Sequence, residues 1–413
     1  MDRRSAITLG GLGVLGLGFG GCAAKTQTRT APARPPVALA PVDVSWDRVI
    51  RTTVGLRPHR DAGFVLKADK LDAKTIIHNY GHGGAGMSLS WGTGLMAAEL
   101  ALAHEDRRAA VIGCGAVGLT AARQLQRRGF EVTIYAMAVP PNTTSNMSLA
   151  GFTPTSGLVE PDRRTPEWDD QFHRAADAAY RQLQLLVGPT YGITWINSYS
   201  PVDELHHSGS ADNFNRPDLQ VGLQAGEVVL QPGEHPFATR YALCRASIRI
   251  EPSIYLEALV RDFMAFGGHI VIRKFETPRD LMSLTEPIIV NCTGLGSRAL
   301  FGDEELVPLK GQLVVLVPQT EVNYGTVGGS RNPAHLSGIG IHMMPRNDGI
   351  ALGGTAERGV WTMEPNEVER KRVVEGHMDL VAGMHPARPG VHARRVEMPA
   401  EVPTLESHFN LPS

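Results

Sequence analysis

Apolar and polar positions follow two different periods in the stretch from Arg108 to Ala136. The apolar run Ala109–Ile112 is typical of a short buried strand. Apolar residues then recur at helical spacing between Leu119 and Arg128, and Gly129 follows at the position of a helix C-cap. Residues Glu131–Tyr135 alternate between polar and apolar, as in a half-buried strand. The pattern therefore predicts a strand, a helix and a second strand in close succession.

Three glycines lie where the first of these strands enters the helix, in the pattern G-x-G-x-x-G. Gly113 would permit a tight turn, and Gly115 would let a pyrophosphate approach the backbone. Gly118 would let the helix pack closely on the strand, and Ala116 and Val117 between the glycines are further candidate contacts to the cofactor. A helix N-terminus with free amides favours a bound phosphate. With both strands and the helix in place, the motif predicts a dinucleotide-binding site.

The end of the second strand lacks the acidic residue that usually binds the ribose hydroxyls in this motif. Ala136 and Met137 occupy that place, and neither carries a carboxylate. The motif alone therefore leaves open whether the dinucleotide is NAD or FAD.

A second glycine-rich element lies ahead of this unit. A strand predicted to end at Ile76 and Ile77 is followed by a glycine run and then by helical periodicity over 87–103. The run contains Gly81, Gly83, Gly84, Ala85 and Gly86. Such a run lets backbone amides and carbonyls reach a ligand, although a plain strand-to-helix turn is the alternative. His78 and His82 are interpreted as parts of the strand and turn scaffold rather than as a catalytic acid or base.

Length, net charge and cysteine content exclude several classes of protein and agree with the predicted dinucleotide-binding site. The 413 residues suit two to three domains, and a net charge of −2 with 20% charged residues excludes a disordered polyampholyte and a basic nucleic-acid binder. Cys114, Cys244 and Cys292 lie scattered in predicted core, which favours buried thiols over disulfides. The spacing of possible ligands predicts no metal site, and nothing in the chain indicates its oligomeric state.

The first 43 residues have the pattern of an export signal followed by a flexible tether. Arg3 and Arg4 precede an uncharged Gly- and Leu-rich stretch that ends at Cys22, resembling a twin-arginine export signal. Cys22 is a candidate for lipidation, and an ordinary signal peptide cleaved elsewhere is the alternative. The following Pro-, Ala- and Thr-rich stretch, 25–41, suits a flexible tether. The interpretation is an exported protein, either periplasmic or anchored to the membrane.

Several blocks together resemble the D-amino-acid oxidase family of FAD-dependent flavoproteins. These blocks read VIGCGAVGL, GLRP, HNYGHGGAGMSLSWG, IRKFET, VNCTGLGSRAL, LKGQLVVL and MMPRNDGIALGGTAERG, and they cover most of 44–384. In the family the GLRP and GHGG blocks close the chain, whereas here they precede the fingerprint. We therefore interpret the chain as circularly permuted, with the helix expected over 364–382 ending where the family chain would continue into GLRP.

The resemblance implies FAD as the cofactor and assigns roles to individual residues. Arg57 would form a bidentate pair with a substrate carboxylate, and the Gly84 carbonyl would accept from the substrate amino group. The turn residues implied to line the flavin are Gly83, Gly84, Ala85, Gly86, Met87 and Ser88. Further implied cofactor contacts are Thr143, Thr144, Ser145, Ala150, Gly151, Phe275, Thr293 and Gly294.

His342 departs from the family pattern. The family has a tyrosine at this position, and a second family tyrosine falls on Gly338. His342 could donate a hydrogen bond to the substrate carboxylate or carry charge below its pKa, and a structural role is the alternative. Loss of both phenols is expected to change the substrate range without abolishing the reaction.

The expected fold class is α/β, with a Rossmann-like FAD-binding domain interleaved with a mixed or antiparallel substrate sheet. After the signal and tether of 1–43, the FAD-binding domain is expected to comprise 44–160 and 247–299. The substrate domain is expected to comprise 161–246 and 300–362. A helix (363–385) and a tail (386–413) follow. Residues 200–215 are a lid or simply a loop.

The expected activity is oxidative deamination of a D-amino acid, with oxygen as the second substrate. A related amine or glycine oxidase, a dehydrogenase with a different electron acceptor, and a non-catalytic exported flavin-binding protein are the alternatives.

Overall fold

The computed structural model describes residues 35–149, 151–205, 226–330, 335 and 340–385. Within them the strands are β1 (Val49–His59), β2 (Val65–Leu71), β3 (Lys74–Tyr80), β4 (Arg108–Ile112), β5 (Glu131–Ala136), β6 (Ile193–Val202), β7 (Val228–Leu230), β8 (Tyr241–Ile250), β9 (His269–Ile272), β10 (Ile288–Asn291), β11 (Val307–Leu316), β12 (Tyr324–Val327), β13 (His342–Arg346), β14 (Gly349–Gly353) and β15 (Glu357–Arg358). The α-helices are α1 (Gly86–Ala101), α2 (Ala116–Gln126), α3 (Pro166–Leu185), α4 (Pro252–Ala265), α5 (Gly296–Phe301) and α6 (Glu367–Ala382). The expectations for 1–34, Cys22 included, for Ala150, for most of 200–215 and for the tail lie outside the described residues.

The strand, helix and strand predicted over 108–136 are present as β4, α2 and β5. The four apolar residues of β4 are buried, which suits a central strand covered on both faces. Helix α2 begins three residues earlier than predicted, directly after Gly115. Strand β3 continues to Tyr80, three residues beyond the predicted end at Ile77, because the polar residues at 78 and 79 are buried as well.

One sheet has the order β2-β3-β10-β4-β5-β9, and all neighbours except the β2–β3 pair are parallel. Strand β4 connects through α2 to β5 on one side and has β10 on its other side. The strand order thus reverses at β4, and ligands of open α/β sheets bind outside the carboxyl ends of the strands at such a point.

The second sheet has the order β1-β11-β14-β13-β12-β6-β8-β7, with β15 paired to β11. Its strands are antiparallel apart from the β12–β6 pair. On β13, His342 and Met344 line the cavity, and Met343, which also reaches the cavity wall, packs into the core that the sheet shares with α6. The expected combination of a Rossmann-like sheet and a mixed sheet is confirmed.

The two sheets interleave along the chain differently from the expected segments. Strand β1, expected in the FAD-binding part, pairs with β11 in the mixed sheet over residues 49–59. Helix α3, expected in the substrate part, packs its apolar face into the core of the parallel sheet, where Phe172 and Leu183 are fully buried. The described residues from Pro36 onward belong to one compact unit, and the predicted segment boundaries stay a prediction.

Two further findings concern the described part of the chain. None of its helices is both long enough and apolar enough to cross a membrane. No disulfide joins Cys114, Cys244 and Cys292; Cys114 is buried and the other two are partly buried.

Candidate active site

A cavity of about 900 Å³ opens where the carboxyl ends of β4 and β10 face the mixed sheet. Both glycine-rich turns converge on it, although they are separate in the sequence. The predicted site residues that line it are Arg57, Gly83, Gly84, Gly86, Met87, Gly113, Gly115, Ala116, Val117, Thr143, Thr144, Ser145, Gly151, Phe275, Thr293, Gly294 and His342.

The fingerprint turn has the geometry expected of a phosphate site. The Gly113 amide donates to the carbonyl of Tyr135 (2.8 Å), with φ at +114°. The Ala116 amide, at the start of α2, donates to Oγ of Ser145 (3.0 Å). No acidic residue lies in the first turn of α2, so its partial positive charge is available to an anion.

Gly118 does not line the cavity, and its role is close packing. A Cβ at this position would lie 2.0 Å from the carbonyl oxygen of Gly113. No side chain fits there, so the absence of one lets α2 approach the end of β4 and aim its amides into the cavity.

The far end of the cavity suits an adenosine group. The ring of Phe275 lies edge-on to Tyr135, with centroids 6.0 Å apart, and the Arg273 guanidinium lies 4.7 Å from the Phe275 ring centroid. Strand β5 ends at Ala136, and Met137 beyond it is exposed, so neither position at this strand end carries a carboxylate, although Glu276 lines the cavity next to Phe275. The cavity thus fits an extended dinucleotide through its helix N-terminus, its hydroxyl-bearing residues 143–145 and its aromatic end.

The second glycine turn is fixed from two sides. The Gly83 amide donates to the carbonyl of Pro58 (2.8 Å), and the Gly84 amide donates to the carbonyl of Ser156 (2.9 Å). Gly83 has φ at +52°, and a Cβ on it would lie 1.8 Å from the carbonyl oxygen of Gly157. Within the described residues, the backbone hydrogen bonds of this turn leave the Gly84 carbonyl without a donor.

Arg57 enters the cavity from β1. Its Nη1 donates to the carbonyl of Thr355 (3.0 Å), and its guanidinium lies against the bare backbone of Gly311, where a Cβ would be 2.3 Å from Nη2. Burial lowers the pKa of Arg57 to about 10, so the side chain stays charged at neutral pH. Among the described residues no carboxylate forms an ion pair with it. The cavity therefore presents a cation that lacks an anion.

Gly84 and Arg57 are neighbours across this corner. A Cβ on Gly84 would lie 3.3 Å from Cδ of Arg57. The structure thus brings together the two residues expected to bind a carboxylate and an amine.

His342 lies on the same side of the cavity, flat against its cross-strand partner Gly353. Burial lowers its pKa to about 3, and the positive charge of Arg57 acts in the same direction. The ring is therefore neutral at physiological pH. At neutral pH this favours the expected hydrogen-bonding form of His342 over the charged one, and its role toward a substrate stays a prediction.

Three predicted residues do not line the cavity. Gly118 has the packing role described above, and Ala85 is buried beneath the turn. Ser88 is also buried, and its Oγ accepts from the amide of Thr153 (2.8 Å). Ser88 therefore supports the loop that follows Gly151 rather than facing a ligand.

Three residues without a predicted role contribute to the corner around Arg57. Gly311 and Thr355 hold the guanidinium, and Ser156 holds the Gly84 amide. Gly311 and Thr355 lie within the LKGQLVVL and LGGTAERG blocks, so the blocks were visible while these contacts were not. Ser156 lies on a loop without regular periodicity, so no sequence pattern indicates its contact with Gly84.

The other two histidines of the second block belong to the scaffold. His78 lies within β3, 3.1 Å from Nδ2 of Asn291, and burial lowers its pKa. The His82 ring stacks on Phe64, with centroids 5.4 Å apart, and lies 3.1 Å from Oγ1 of Thr93.

Buried neutral histidines predict acid sensitivity. Burial lowers the pKa of His82 and His342 to about 3 and that of His377 to about 4. Below pH 6.5 these histidines become protonated in the unfolded chain but stay neutral in the folded chain. The free energy of unfolding is therefore highest above pH 6.5 and decreases as the pH falls toward 4. Each histidine contributes up to about 1.4 kcal/mol per pH unit. Urea unfolding between pH 7.5 and 5 measures the slope.

His377→Gln should reduce this slope, and the exposed His269→Gln should not. Carboxylates also contribute to acid unfolding, so the comparison between these variants isolates the histidine effect. An unchanged slope in His377→Gln would contradict the assignment of a neutral buried ring.

Comparison with known proteins agrees with this geometry. The sequence model of the DAO family, described as FAD dependent oxidoreductase, matches residues 108–398. A D-amino-acid oxidase of Rubrobacter xylanophilus is 27% identical over 319 residues, covering 73% of this chain and 89% of that protein. A human D-aspartate oxidase is 26% identical over 317 residues, covering 70% of this chain and 83% of that protein. A solved L-proline dehydrogenase from P. horikoshii aligns with a TM-score of 0.46 and 14% identity, over 67% of this chain and 78% of that one.

The family match spans most of the chain, from the fingerprint strand β4 to beyond α6. Its defining cofactor fits the cavity into which both glycine turns open. The chain belongs to the DAO family of FAD-dependent oxidoreductases.

Proposed function

We propose that this protein oxidises D-amino acids. The overall reaction converts a D-amino acid, oxygen and water into a 2-oxo acid, ammonia and hydrogen peroxide. The observation that carries the proposal is the Arg57 side chain, without an ion-pair partner among the described residues, next to Gly84 in the cavity that also contains the dinucleotide fingerprint. D-amino-acid oxidases and a D-aspartate oxidase among the similar proteins support the substrate class.

Arg57 binds the substrate carboxylate. Its planar guanidinium can donate two parallel hydrogen bonds to a carboxylate, which a lysine ammonium cannot reproduce. The contacts with Gly311 and Thr355 fix the side chain before the substrate arrives, so little rotamer entropy is lost on binding.

The Gly84 carbonyl accepts a hydrogen bond from the substrate amino group. Held at the carboxylate and at the amine, the α-carbon has one remaining freedom, rotation about the line joining these two contacts. The cavity walls, which include His342 and Met344, restrict that rotation. Bound FAD supplies the two-electron acceptor for the reaction, and the chain supplies orientation and a largely apolar enclosure.

The decisive experiment is an absorption spectrum of the purified protein before and after anaerobic addition of a panel of D- and L-amino acids. We expect the oxidised flavin bands to bleach with D-amino acids and to return on admission of air. Bleaching with slow return in air would indicate a dehydrogenase. A yellow protein that no amino acid bleaches would overturn catalysis and leave a binding function.

His342 predicts a modest and pH-independent effect. His342→Phe should weaken kcat/KM by about 2- to 10-fold, the range expected for one neutral hydrogen bond. Since the ring is neutral, wild type and His342→Phe should have the same apparent pKa values between pH 5 and 8 in steady-state profiles. A midpoint that disappears in the variant would show that His342 titrates during turnover. His342→Tyr, which restores the family residue, should shift preference among D-amino acids.

We also propose that the chain is circularly permuted relative to its family, as the order of blocks suggests. The family match begins at residue 108 and leaves β1, β3 and α1 ahead of it. Val42 and Val44, just before β1, share an apolar contact region with Leu380 and Met384 at the end of α6. A chain rejoined there and opened between α1 and β4 should fold and bind FAD. Failure of that rearranged chain to bind FAD would contradict the proposal.

The final proposal concerns location. We infer export through a twin-arginine route, with lipidation at Cys22, from the pattern of residues 1–22. Arg3→Lys together with Arg4→Lys should retain the protein in the cytoplasm, and Cys22→Ala should release it from the membrane fraction. Fractionation with blotting measures both outcomes.

A further inference from the structure

His59 lies at the end of β1, two residues after Arg57, and its side chain is 97% buried. Its Nδ1 lies 2.9 Å from the carbonyl oxygen of Gly157, and its Nε2 lies 3.1 Å from Oδ1 of Asp61. Glu160 Oε1 is 3.9 Å from the same Nε2. The ring thus bridges β1 and the loop formed by residues 151–160.

The two ring nitrogens of His59 contact two different segments of the chain. A carbonyl oxygen only accepts hydrogen bonds, so the Gly157 carbonyl accepts from Nδ1. The other nitrogen, Nε2, lies within hydrogen-bond distance of the Asp61 carboxylate. Asp61 additionally accepts from Nη2 of Arg358 (2.6 Å), and the Glu160 carboxylate lies near the same ring nitrogen, Nε2.

The loop that His59 holds is the one on which the glycine turn rests. Ser156 accepts from the Gly84 amide, and the carbonyl of Gly157 fills the space where a side chain at position 83 would be. The Glu160 amide donates to the carbonyl of Asp61 (2.9 Å), which closes the loop back onto the end of β1. The Gly83 amide also bonds the Pro58 carbonyl of β1, so the loop is the second of two supports of this turn. A displacement of the loop relative to β1 would therefore pull the Gly84 end of the turn away from its position relative to Arg57.

We propose that His59 is a positioning residue that sets the spacing between the Arg57 guanidinium and the Gly84 carbonyl, and so the fit of the carboxylate and amine of one substrate. This inference rests on the proposed function. His59 touches neither substrate nor cofactor. It acts by joining the strand that carries the carboxylate contact to the loop that supports the amine contact.

The test compares a ligand that uses both contacts with one that uses only Arg57. The first is the D-amino acid that reduces wild-type flavin fastest, and the second is the matching acid without an amino group. Binding of the second is followed through its perturbation of the flavin spectrum. His59→Leu removes the bridge. His59→Asn keeps an N–H group that can reach the Gly157 carbonyl, and His269→Leu on the edge strand β9 is the matched control.

For His59→Leu we expect the second-order rate constant for anaerobic flavin reduction to fall about tenfold or more, because small displacements of reacting groups lower the reaction rate strongly. Binding of the acid without the amino group should change less than twofold. His59→Asn should recover a large part of the loss. FAD content and the visible spectrum of the free enzyme should match wild type, which shows that the fold is intact.

Other results overturn the inference. Equal losses for both ligands would show that His59 supports Arg57 alone or the fold in general, and no loss for either would show that the bridge is dispensable. Loss of wild-type activity with EDTA, restored by a divalent cation, would show that a metal ion bound by His59, Asp61 and Glu160, rather than the ring's hydrogen bonds, joins these segments. Failure of the proposed function is distinguishable, because wild-type flavin would then not be reduced by any D-amino acid.

Discussion

Replacing Arg57 with alanine should lower kcat/KM for D-amino acids by about two to three orders of magnitude while leaving FAD bound. The substrate carboxylate would lose the guanidinium that lies next to Gly84, and a buried unpaired charge costs about 3–5 kcal/mol. KM should rise and kcat should fall together, because the same contact binds the substrate and orients its α-carbon. Steady-state peroxide formation with a D-amino-acid series measures both parameters.

Two further variants define what Arg57 supplies. Arg57→Lys keeps the charge and loses the planar pair of donors, so it should lie between alanine and wild type. Arg261→Ala, on the exposed face of α4, should match wild type. Activity of Arg57→Ala within a few-fold of wild type would show that the carboxylate binds elsewhere in the cavity.

Replacing Gly118 with alanine should abolish tight FAD binding. The new Cβ would lie 2.0 Å from the Gly113 carbonyl, and the contact is with backbone that cannot rotate away. Helix α2 must then move off β4, which carries its free amides away from the pyrophosphate position. We expect the dissociation constant for FAD to rise by about two orders of magnitude, in keeping with overpacking costs of about 1–3 kcal/mol plus lost phosphate contacts.

Titration of apoprotein with FAD, followed by quenching of flavin fluorescence, measures this change. The matched control is Gly226→Ala, where the structure leaves open space around the new methyl group and the backbone is not left-handed. A Gly118→Ala protein that binds FAD within threefold of wild type would refute the packing role.

The elements that were predictable from the sequence are those with strong local signals. The run Ala109–Ile112, the glycine spacing and the helical period that follows all lie within one short stretch, so β4, α2 and β5 could be located without knowledge of the rest of the fold. The GLRP and GHGG blocks were also located, because resemblance to a family places residues that periodicity cannot. The absence of a ribose carboxylate at Ala136 was visible from the sequence in the same way.

What the sequence could not supply depends on contacts between distant segments. Strand β1 contains the GLRP block and was expected with the FAD-binding part, yet its pairing with β11 places it in the mixed sheet. Pairing partners some 250 residues apart leave no local signal. The same holds for Ser156, whose importance comes from one backbone carbonyl that meets Gly84. The protonation of His342 is not evident from the sequence, because it depends on burial and on the nearness of Arg57.

The pairing of β1 with β11 has a consequence for how selectivity could change over time. Arg57 comes from the mixed sheet, whereas Gly84 follows a strand of the parallel sheet. The carboxylate of a substrate would therefore contact one sheet, and its amino group would contact the segment that follows the other. The distance between these two contacts depends on how the two sheets pack against each other. Mutations between the two sheets, outside the cavity lining, would therefore change substrate selectivity even when the lining residues stay the same.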